Sequence, residues 1–500
     1  MKTKRFVVPE GADSISADGR CDFYDEDYYF SFIEIPKDVT EIVIPDSVDC
    51  IGISAFCGFS SLARINIPDS VDYIGERAFD GCSSLVRIDL PDSVKVIGER
   101  AFYGCSSLTR ITIPNSVTKI SEYAFNGCSS LTRIRISDSV TEIDQYAFED
   151  CSSLTRIDIP NSATKISRVA FLGCSSLAAI NVRAENPVFH SKDGVLFEGS
   201  TLRIFPAGKA AQTYSIPDSV TEIGEWAFDG CTSLVQVIIP ESVTEIDEFA
   251  FTGCHSLTAI KVNTKNPVFH DEDGVLFRGT VLWRFPVKKN VRTYEVPGHI
   301  TKIGNRAFEE CCLLTEISIP GSVTEIGECA FYRCSSLTKV NIPSSVMKIG
   351  NFAFRGCSSL TQINIPESVT KVELRTFSGC SSLAHVNIPD SVTEIGAFAF
   401  GDCAKLAEIN IPDSVTEIGA FAFGDCSSLS KIDIPDSVDW IGFRAFAGCS
   451  SLTSVKIPRS VRKIGKKAFA GCSALKTVRA PKDLDLSEAE IPDSAEIIRY

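Results

Sequence analysis

Apolar and polar positions recur along the chain in a frame of 23 residues, which is clearest across residues 388–433. There IPDSVTEIGAFAFGDCAKLAEIN is followed directly by IPDSVTEIGAFAFGDCSSLSKID. The frame runs from about residue 44 to 478, and an Ala-Phe or Thr-Phe pair with a Cys three residues later marks each copy. Intervals between these Phe residues are 23 residues, apart from two of 57, which equal 23 plus 34. A fixed period of this length predicts a repeat solenoid.

One copy, residues 105–127, shows which positions face the core. Leu108, Ile111 and Ile113 form the pattern L-x-x-L-x-L, which is typical of the strand in leucine-rich repeats. Because side chains alternate along a strand, Arg110 and Thr112 are expected on the opposite face. No single copy buries its own apolar residues, so stacking of copies has to form the core.

The second half of the same copy predicts a change of direction and a back face. Pro114 ends the strand because it has no N–H to donate to a ladder. Val117 and Ile120 indicate a second short strand or turn. Ala124 and Phe125 follow with room for no more than a turn of helix. About eighteen such coils are expected, with a parallel β-sheet on one face and short strands or turns of helix on the other.

The frame resembles the BspA-like, treponemal type of leucine-rich repeat, which reads approximately L-x-x-I-x-I-P-x-x-V-x-x-I-G-x-x-A-F-x-x-C. The resemblance covers about residues 39–479 and implies a leucine-rich-repeat superhelix. Local departures from the pattern are Phe59, Ser121, Ser137, Asp144, Ala163, Ser167, Asp247 and Glu373. Five of them replace the Gly of the pattern, so that position cannot strictly require a positive φ.

Residues 1–38 and 480–500 lack the frame and are predicted to cap the two ends of the solenoid. Two long units, near 180–216 and 260–296, interrupt the regular copies. They contain the related segments ENPVFHSKDGVLFEGSTLRIFP and KNPVFHDEDGVLFRGTVLWRFP. Each has a V-L-F run, a Gly-containing turn and a second apolar run, which predicts a hairpin.

The chain has 20 cysteines, and fifteen of them occupy one position of the frame. In a stack this position becomes an inward column, where parallel side chains hold neighbouring Cβ atoms slightly too far apart for disulfides. One column also offers too few converging thiolates for zinc. These residues are therefore predicted to be buried, free thiols. They are Cys82, Cys105, Cys128, Cys151, Cys174, Cys231, Cys254, Cys311, Cys334, Cys357, Cys380, Cys403, Cys426, Cys449 and Cys472.

Net charge and hydropathy limit the classes of partner. The formal charge of −15 and the isoelectric point near 5.0 disfavour binding to nucleic acid or to an anionic membrane. No apolar run is long enough for a transmembrane helix, so no membrane insertion is expected. The opening MKTKRFVVPEGADS is basic but too short in its apolar stretch for a signal peptide as it stands.

Catalytic and metal-binding patterns are weak. His255 follows Cys254, yet Cys254 belongs to the inward column and no third, orienting group can be named. The acidic run Asp271–Gly274 has the wrong spacing for a calcium loop, and Asp-Gly turn chemistry explains it better. We therefore assign no catalytic residue, no cofactor and no metal ligand from the sequence.

One outward column carries an unusual charge. Five successive copies place arginine there, Arg64, Arg87, Arg110, Arg133 and Arg156, and Arg135 adds to them one column over. At strand spacing these residues form a basic stripe about 19 Å long, partly neutralised by Asp89 and Asp158. Two interpretations stay open: a solvated ladder that was copied with the repeat, or the binding site of an acidic partner.

A second column is aromatic, with arginine and lysine between the aromatic residues. Semi-buried packing between coils is one interpretation and an adhesive convex patch is the other. The aromatic members are Tyr123, Tyr146, Trp226, Phe249, Phe352, Phe398 and Phe421.

These observations favour a non-catalytic recognition protein whose ligand is an acidic or a glycosylated protein. The family resemblance implies an adhesin-like protein at the cell surface or secreted. An intracellular, cytoplasmic interaction scaffold is the alternative from another class, and an enzyme inhibitor is a third, since a fold alone does not determine function.

Overall fold

The computed structural model describes residues 4–16, 20–23 and 31–500. Their regular structure consists of β-strands joined by turns, and none of them lies in a helix that could span a membrane. The chain divides into two compact units. Unit 1 comprises residues 1–235 and 242–256, and unit 2 comprises residues 236–241 and 257–500.

The strands of the described residues are numbered in chain order. Those up to residue 223 are β1 (Arg5–Val7), β2 (Ser14–Ser16), β3 (Arg20–Phe23), β4 (Ser31–Glu34), β5 (Glu41–Val43), β6 (Cys50–Ile51), β7 (Arg64–Ile65), β8 (Tyr73–Ile74), β9 (Val96–Ile97), β10 (Arg110–Thr112), β11 (Lys119–Ile120), β12 (Arg133–Arg135), β13 (Glu142–Ile143), β14 (Arg156–Ile159), β15 (Lys165–Ile166), β16 (Ala179–Val182), β17 (Phe189–Lys192), β18 (Val195–Glu198), β19 (Thr201–Ile204), β20 (Thr213–Ser215) and β21 (Glu222–Ile223). The others are β22 (Gln236–Ile239), β23 (Glu245–Ile246), β24 (Ala259–Val262), β25 (Phe269–Glu272), β26 (Val275–Arg278), β27 (Val281–Arg284), β28 (Thr293–Glu295), β29 (Lys302–Ile303), β30 (Glu316–Ser318), β31 (Glu325–Ile326), β32 (Lys339–Asn341), β33 (Lys348–Ile349), β34 (Gln362–Asn364), β35 (Lys371–Val372), β36 (His385–Asn387), β37 (Glu394–Ile395), β38 (Glu408–Asn410), β39 (Glu417–Ile418), β40 (Lys431–Asp433), β41 (Trp440–Ile441), β42 (Ser454–Lys456), β43 (Lys463–Ile464), β44 (Thr477–Ala480) and β45 (Glu496–Arg499).

Each regular coil contributes one strand to a front sheet and one to a back sheet, and both sheets are parallel. In unit 1 the front orders include β1-β5-β7 and β10-β12-β14-β16, and the back orders include β2-β6-β8-β9 and β11-β13-β15. In unit 2 the front order includes β38-β40-β42-β44-β45 and the back order includes β35-β37-β39-β41-β43. The predicted solenoid with stacked parallel strands is therefore confirmed.

The expected turn of helix at the Ala-Phe pair is wrong. Within the described residues this corner is a series of hydrogen-bonded turns, in which the N–H of Asn126 donates to the carbonyl of Tyr123 and that of Cys128 to Phe125. The corner also bonds to the next coil, because the Phe125 N–H donates to the Ala147 carbonyl at 2.9 Å. Bonds between coils take the place of a helical ladder, and they satisfy the backbone here.

Phenylalanine stacking forms the spine of the core in each unit. Neighbouring rings lie nearly parallel, as for Phe79 and Phe102, whose centroids are 5.2 Å apart. The long units also supply a ring to this column: Phe205 lies 5.3 Å from Phe228 with the two rings tilted by 35°, and Phe285 stacks with Phe308 at 5.1 Å. The sequence frame missed these two residues, and they divide each 57-residue interval into 34 and 23. The spine residues are Phe56, Phe79, Phe102, Phe125, Phe148, Phe171, Phe205, Phe228, Phe251, Phe285, Phe308, Phe331, Phe354, Phe377, Phe400, Phe423, Phe446 and Phe469, and all are buried.

The predicted hairpin of each long unit is confirmed, and a third strand extends it. In unit 1, β17, β18 and β19 pair antiparallel, and β19 then pairs parallel with β21 of the next coil. β25, β26, β27 and β29 repeat this order in unit 2. Asp273 and Gly274 have φ values of 48° and 79° at the first turn, as a type I′ hairpin turn requires.

The segments predicted as caps continue the parallel ladders. β1 pairs with β5 in register, so the ladder extends into residues 1–38. At the other end β45 pairs with β44. Residues 1–3, 17–19 and 24–30 of the predicted amino-terminal cap lie outside the described residues.

The fifteen column cysteines are all buried, as predicted, and they also form hydrogen bonds that the sequence analysis did not foresee. The Cys151 thiol donates to the Phe125 carbonyl at 3.2 Å, and the same carbonyl accepts the backbone N–H of Cys128. Every thiol of the column makes the equivalent bond to a spine Phe 26 residues earlier. Cysteine thus fills the core and satisfies a second lone pair of a buried carbonyl.

Thiol titration of the native protein should label few cysteines and far more after denaturation. Burial excludes the reagent and raises the pKa of the column thiols, for example that of Cys174 to about 12, so little thiolate exists at neutral pH. Cys312 is exposed and should react first. Rapid labelling of most column cysteines in the folded protein would contradict their inward placement.

Candidate partner-binding surface

The front sheet of unit 1 brings the five arginines of the predicted stripe side by side. Direct strand pairing joins Arg64 with Arg87, Arg87 with Arg110, Arg110 with Arg133, and Arg133 with Arg156. All five side chains are exposed, while the Ile that follows each of them is buried. The pairing register places Arg135 opposite Thr112, one column over. We call these six residues the arginine stripe.

Charge is unevenly neutralised along the arginine stripe. Arg87 lies 2.9 Å from Asp89, and Arg156 lies 2.7 Å from Asp158. Within the described residues, Arg110, Arg133 and Arg135 have no carboxylate within 4.0 Å. Three guanidinium groups on two adjacent strands therefore form a positive centre between the ion-paired Arg87 and Arg156. Closely stacked like charges repel each other and are stabilised by an anion.

The same columns in unit 2 form a surface of mixed polarity. Gln362, His385 and Glu408 continue the first column on adjacent strands. Asn364, Asn387 and Asn410 form a row of amides in the second column and line, with the first column, a groove of about 390 Å³. This surface consists of the same strand positions as the arginine stripe but lacks its run of positive charge. It therefore provides a matched control for substitutions in the stripe.

The aromatic column packs between coils, as the first interpretation of it proposed. All seven aromatic residues are half-buried. Tyr123 stacks on Tyr146 at 4.9 Å, and the Arg100 guanidinium carbon lies 4.9 Å from the Tyr123 ring centroid. Arg375 covers the ring of Phe398 at 4.4 Å in the same way. Arginine alternating with aromatic rings thus continues the stack through cation–π contacts.

This column has a backbone conformation that the sequence does not reveal. The residue two before each spine Phe adopts φ near +55° in most coils, including Tyr123, Trp226 and Phe398, which is uncommon for bulky side chains. The residue before the column Cys is also left-handed, and is usually Gly or Asp. The Gly after Ile in the frame does not have a positive φ, as the departures from the pattern predicted.

The pair Cys254 and His255 does not form a nucleophile and base. Cys254 is buried and donates its thiol to the Phe228 carbonyl at 3.1 Å. His255 instead lies near the carboxyl of Asp229. The pKa of that carboxyl is raised to about 6, because the effect of burial outweighs the lowering effect of the imidazole. The thiol points into the core, where no substrate can reach it.

The second long unit brings together three residues that the sequence analysis left unassigned. His270 and Glu272 lie on one face of β25, and His299 lies in the turn before β29. Both imidazole Nε2 atoms approach the same Glu272 Oε1, at 3.8 Å and 3.5 Å. The spacing His-x-Glu on a strand was a usable signal for the first two, but only the fold brings His299 to them.

Within the acidic run Asp271–Gly274, the residues Asp271, Asp273 and Gly274 take part in turn chemistry, as predicted. The Asp271 carboxylate accepts the N–H of Val262 at 2.8 Å and that of Gly274 at 3.1 Å, and it lies 3.0 Å from the Lys261 ammonium. These partners occupy its oxygens and hold the hairpin against the preceding coil.

A cleft of about 740 Å³ lies beside the first hairpin in unit 1 and was not foreseen. Tyr146 and Trp226 line it together with Glu142 and two ion pairs, Arg168–Glu225 at 3.0 Å and Arg203–Glu198 at 3.1 Å. Burial lowers the pKa of Arg203 from its ordinary value. The ion pairs neutralise most of the charge that the cleft would otherwise present.

A family model described as BspA type leucine rich repeat region (6 copies) matches most of this chain. The matched residues are 28–122, 95–205, 203–272, 284–403 and 372–491. None of the curated proteins matches the sequence.

Solved structures of bacterial leucine-rich repeat proteins resemble this chain. A leucine-rich repeat protein from Eubacterium ventriosum is 23% identical over 73% of this chain and 83% of its own, with a TM-score of 0.46. A leucine rich cell surface protein from Faecalibacterium prausnitzii is 27% identical over 76% and 89%, with a TM-score of 0.42. A leucine-rich repeat protein from Bacteroides ovatus is 26% identical over 97% and 98%, with a TM-score of 0.34. Because these TM-scores are below 0.5, membership of the family is shown by the match to the family model and not by these structures.

Proposed function

Because the chain belongs to the BspA type leucine-rich repeat family, we propose that it is a non-catalytic recognition protein that binds an acidic protein or glycosylated ligand through the arginine stripe. The observation that carries this proposal is the exposed positive centre of Arg110, Arg133 and Arg135, on a chain whose formal charge is −15. If the stripe were only a solvated ladder copied with the repeat, each arginine would be expected to have a neighbouring carboxylate. Within the described residues, the centre of the stripe has no such carboxylate.

The chemistry of the stripe favours carboxylate or sulfate groups on a partner. Guanidinium groups bind such anions through two parallel hydrogen bonds. Their spacing at strand distance suits an extended acidic segment, and the excess of negative charge elsewhere on the chain opposes long nucleic acids.

An adhesin-like role at the cell surface, or after secretion, is the second part of the proposal, and it follows from the family. Fractionation of the source cells, with detection of the chain by antibody, tests it. Recovery of the protein mainly from the cytoplasm would favour the intracellular scaffold instead.

Substitution of Arg87, Arg110 and Arg133 by Glu should abolish most binding to an acidic ligand while the unfolding midpoint stays nearly unchanged. The side chains face solvent, so their loss leaves the core packing intact. Surface plasmon resonance with immobilised polyglutamate and with heparin measures the effect. The association rate should fall most, and wild-type binding should weaken with added salt.

The matched control replaces Gln362, His385 and Glu408, the same column of unit 2, with Glu, Glu and Lys. It should bind both probes as the wild type does. Equal binding by the arginine variant and the wild type would show that the stripe is only a solvated ladder. Loss of binding in the control variant alone would show that the ligand binds to the groove of unit 2 and not to the arginine stripe.

A further inference from the structure

The second long unit holds two imidazoles and a carboxylate that converge on one point. One potential ligand atom from each of His270, Glu272 and His299 lies within 4.8 Å of the other two, and the Nε2 atoms of His270 and His299 are 3.8 Å and 3.5 Å from Glu272 Oε1. Each side chain is a little less than half exposed. We propose that these three residues bind a divalent transition-metal ion of the zinc type, a function separate from that of the arginine stripe.

The ligand set matches the chemistry of such an ion. Zn²⁺ binds imidazole nitrogen and carboxylate oxygen at about 2.0–2.2 Å in tetrahedral geometry, which places the ligand atoms about 3.3 Å from one another. The observed separations need only small rotations of exposed side chains. Ca²⁺ and Mg²⁺ are disfavoured because they require several oxygen ligands, and this cluster offers one carboxylate.

The fold holds the first two ligands in place before any ion arrives. His270 and Glu272 are two residues apart on β25, so they project from the same face of the strand. The Phe277 ring packs against both imidazoles, with ring centroids 5.3 Å from His270 and 6.2 Å from His299. The neighbouring Asp271 is engaged by backbone N–H groups and Lys261, so Glu272 is the carboxylate left to face the imidazoles.

The first long unit is a natural control with the same scaffold and without the ligand set. His190 stacks on Phe197 at 5.2 Å, as His270 stacks on Phe277. However, Lys192 stands where the second unit has Glu272, and Ser219 stands where it has His299. The hairpin therefore does not require these residues for folding, and their presence together in the second unit is not explained by turn chemistry.

A bound ion would have a defined structural consequence. His270 and Glu272 belong to the hairpin, whereas His299 belongs to the turn that leads into the next coil, so the ion would cross-link the two. Three protein ligands leave one tetrahedral position for water or for a donor group of a binding partner.

Titration of the untagged full chain with Zn²⁺, followed by calorimetry, tests the proposal. The exposed Cys312 is first replaced by Ser in every variant, because a free thiol is itself a metal ligand. We expect one ion per chain with a Kd in the micromolar range, and a higher melting temperature with the ion present. A variant with Glu272→Lys and His299→Ser, which copies the first unit, should lose at least about tenfold in affinity.

The converse variant, Lys192→Glu with Ser219→His, installs the ligand set in the first unit and should bind a second ion. Both variants carry residues that one of the two long units or the turn after it already accommodates, so circular dichroism should show native folding. The proposal is overturned if the chain with intact His270, Glu272 and His299 binds no Zn²⁺. It is equally overturned if the Glu272→Lys, His299→Ser variant retains the ion with unchanged affinity.

Discussion

Phe354→Ala should lower the free energy of unfolding by about 3–5 kcal/mol, because it removes a fully buried ring and leaves a cavity in the spine. The ring stacks between Phe331 at 5.0 Å and Phe377 at 5.6 Å, so two interfaces between coils lose contacts at once. In a repeat array, stability depends on such interfaces between neighbours. Urea denaturation of the purified variant, monitored by circular dichroism, measures the loss.

Phe398→Ala is the matched control on the aromatic column. Phe398 is half-buried and contacts Phe421 at 4.5 Å and the Arg375 guanidinium at 4.4 Å. Its removal leaves an indentation that water fills instead of a closed cavity, so we expect a loss of about 1–2 kcal/mol. Equal losses in the two variants would mean that the spine is not the main core of the coil.

Glu309→Ala should cost a similar amount, about 3–5 kcal/mol, because it removes the carboxylate that neutralises a buried guanidinium. Glu309 is 5% exposed and lies 3.2 Å from the guanidinium of Arg284, which is itself 6% exposed. Arg306 is also ion-paired with Glu309. The Arg284 guanidinium donates to the Arg306 carbonyl at 2.8 Å, which fixes its position beside the carboxylate. Thermal unfolding at constant pH measures the change.

Glu310→Ala tests whether burial is the cause. Glu310 is the adjacent carboxylate and lies 3.6 Å from Arg333, whose side chain is 62% exposed. The Glu310 side chain is itself 27% exposed, so the pair is partly solvated. Pairs near the surface contribute about 0–1 kcal/mol, so the loss should be clearly smaller. The double variant Arg284→Met, Glu309→Leu should recover much of the stability by removing both charges. If Glu309→Ala unfolds like Glu310→Ala, the inner pair is not desolvated.

The period of the sequence by itself determined most of the solenoid. When every coil has 23 residues, residues 23 apart become lateral neighbours in a parallel stack. The Phe spine, the inward Cys column and the register of Arg64, Arg87, Arg110, Arg133 and Arg156 all follow from that rule, and the structure has them as predicted. Alternation along a strand then determined that the arginines face solvent.

Only the tertiary structure decided what happens where the period breaks. The 34-residue units contain a three-stranded hairpin, and its pairing selects Phe205 and Phe285 as spine residues. The buried pair of Arg284 and Glu309 depends on the same registration. The approach of His299 to His270 and Glu272, which lie 29 and 27 residues earlier in the chain, also depends on it. The 23-residue spacing before Phe228 and Phe308 does point to Phe205 and Phe285. No spacing predicts the other two contacts, because an inserted hairpin resets the alignment between one coil and the next.

Backbone conformation was the other property that required the structure. The left-handed φ of Tyr123, Trp226 and Phe398 occurs at positions where the sequence shows bulky residues in place of glycine. Bonds between coils, such as that from the Tyr123 N–H to the Gln145 carbonyl at 3.1 Å, hold the corner in this conformation. Here the stacking of coils overrides the local backbone preference of these residues. The conformational free energy that a positive φ costs at one residue is offset by hydrogen bonds and ring contacts that exist only between coils.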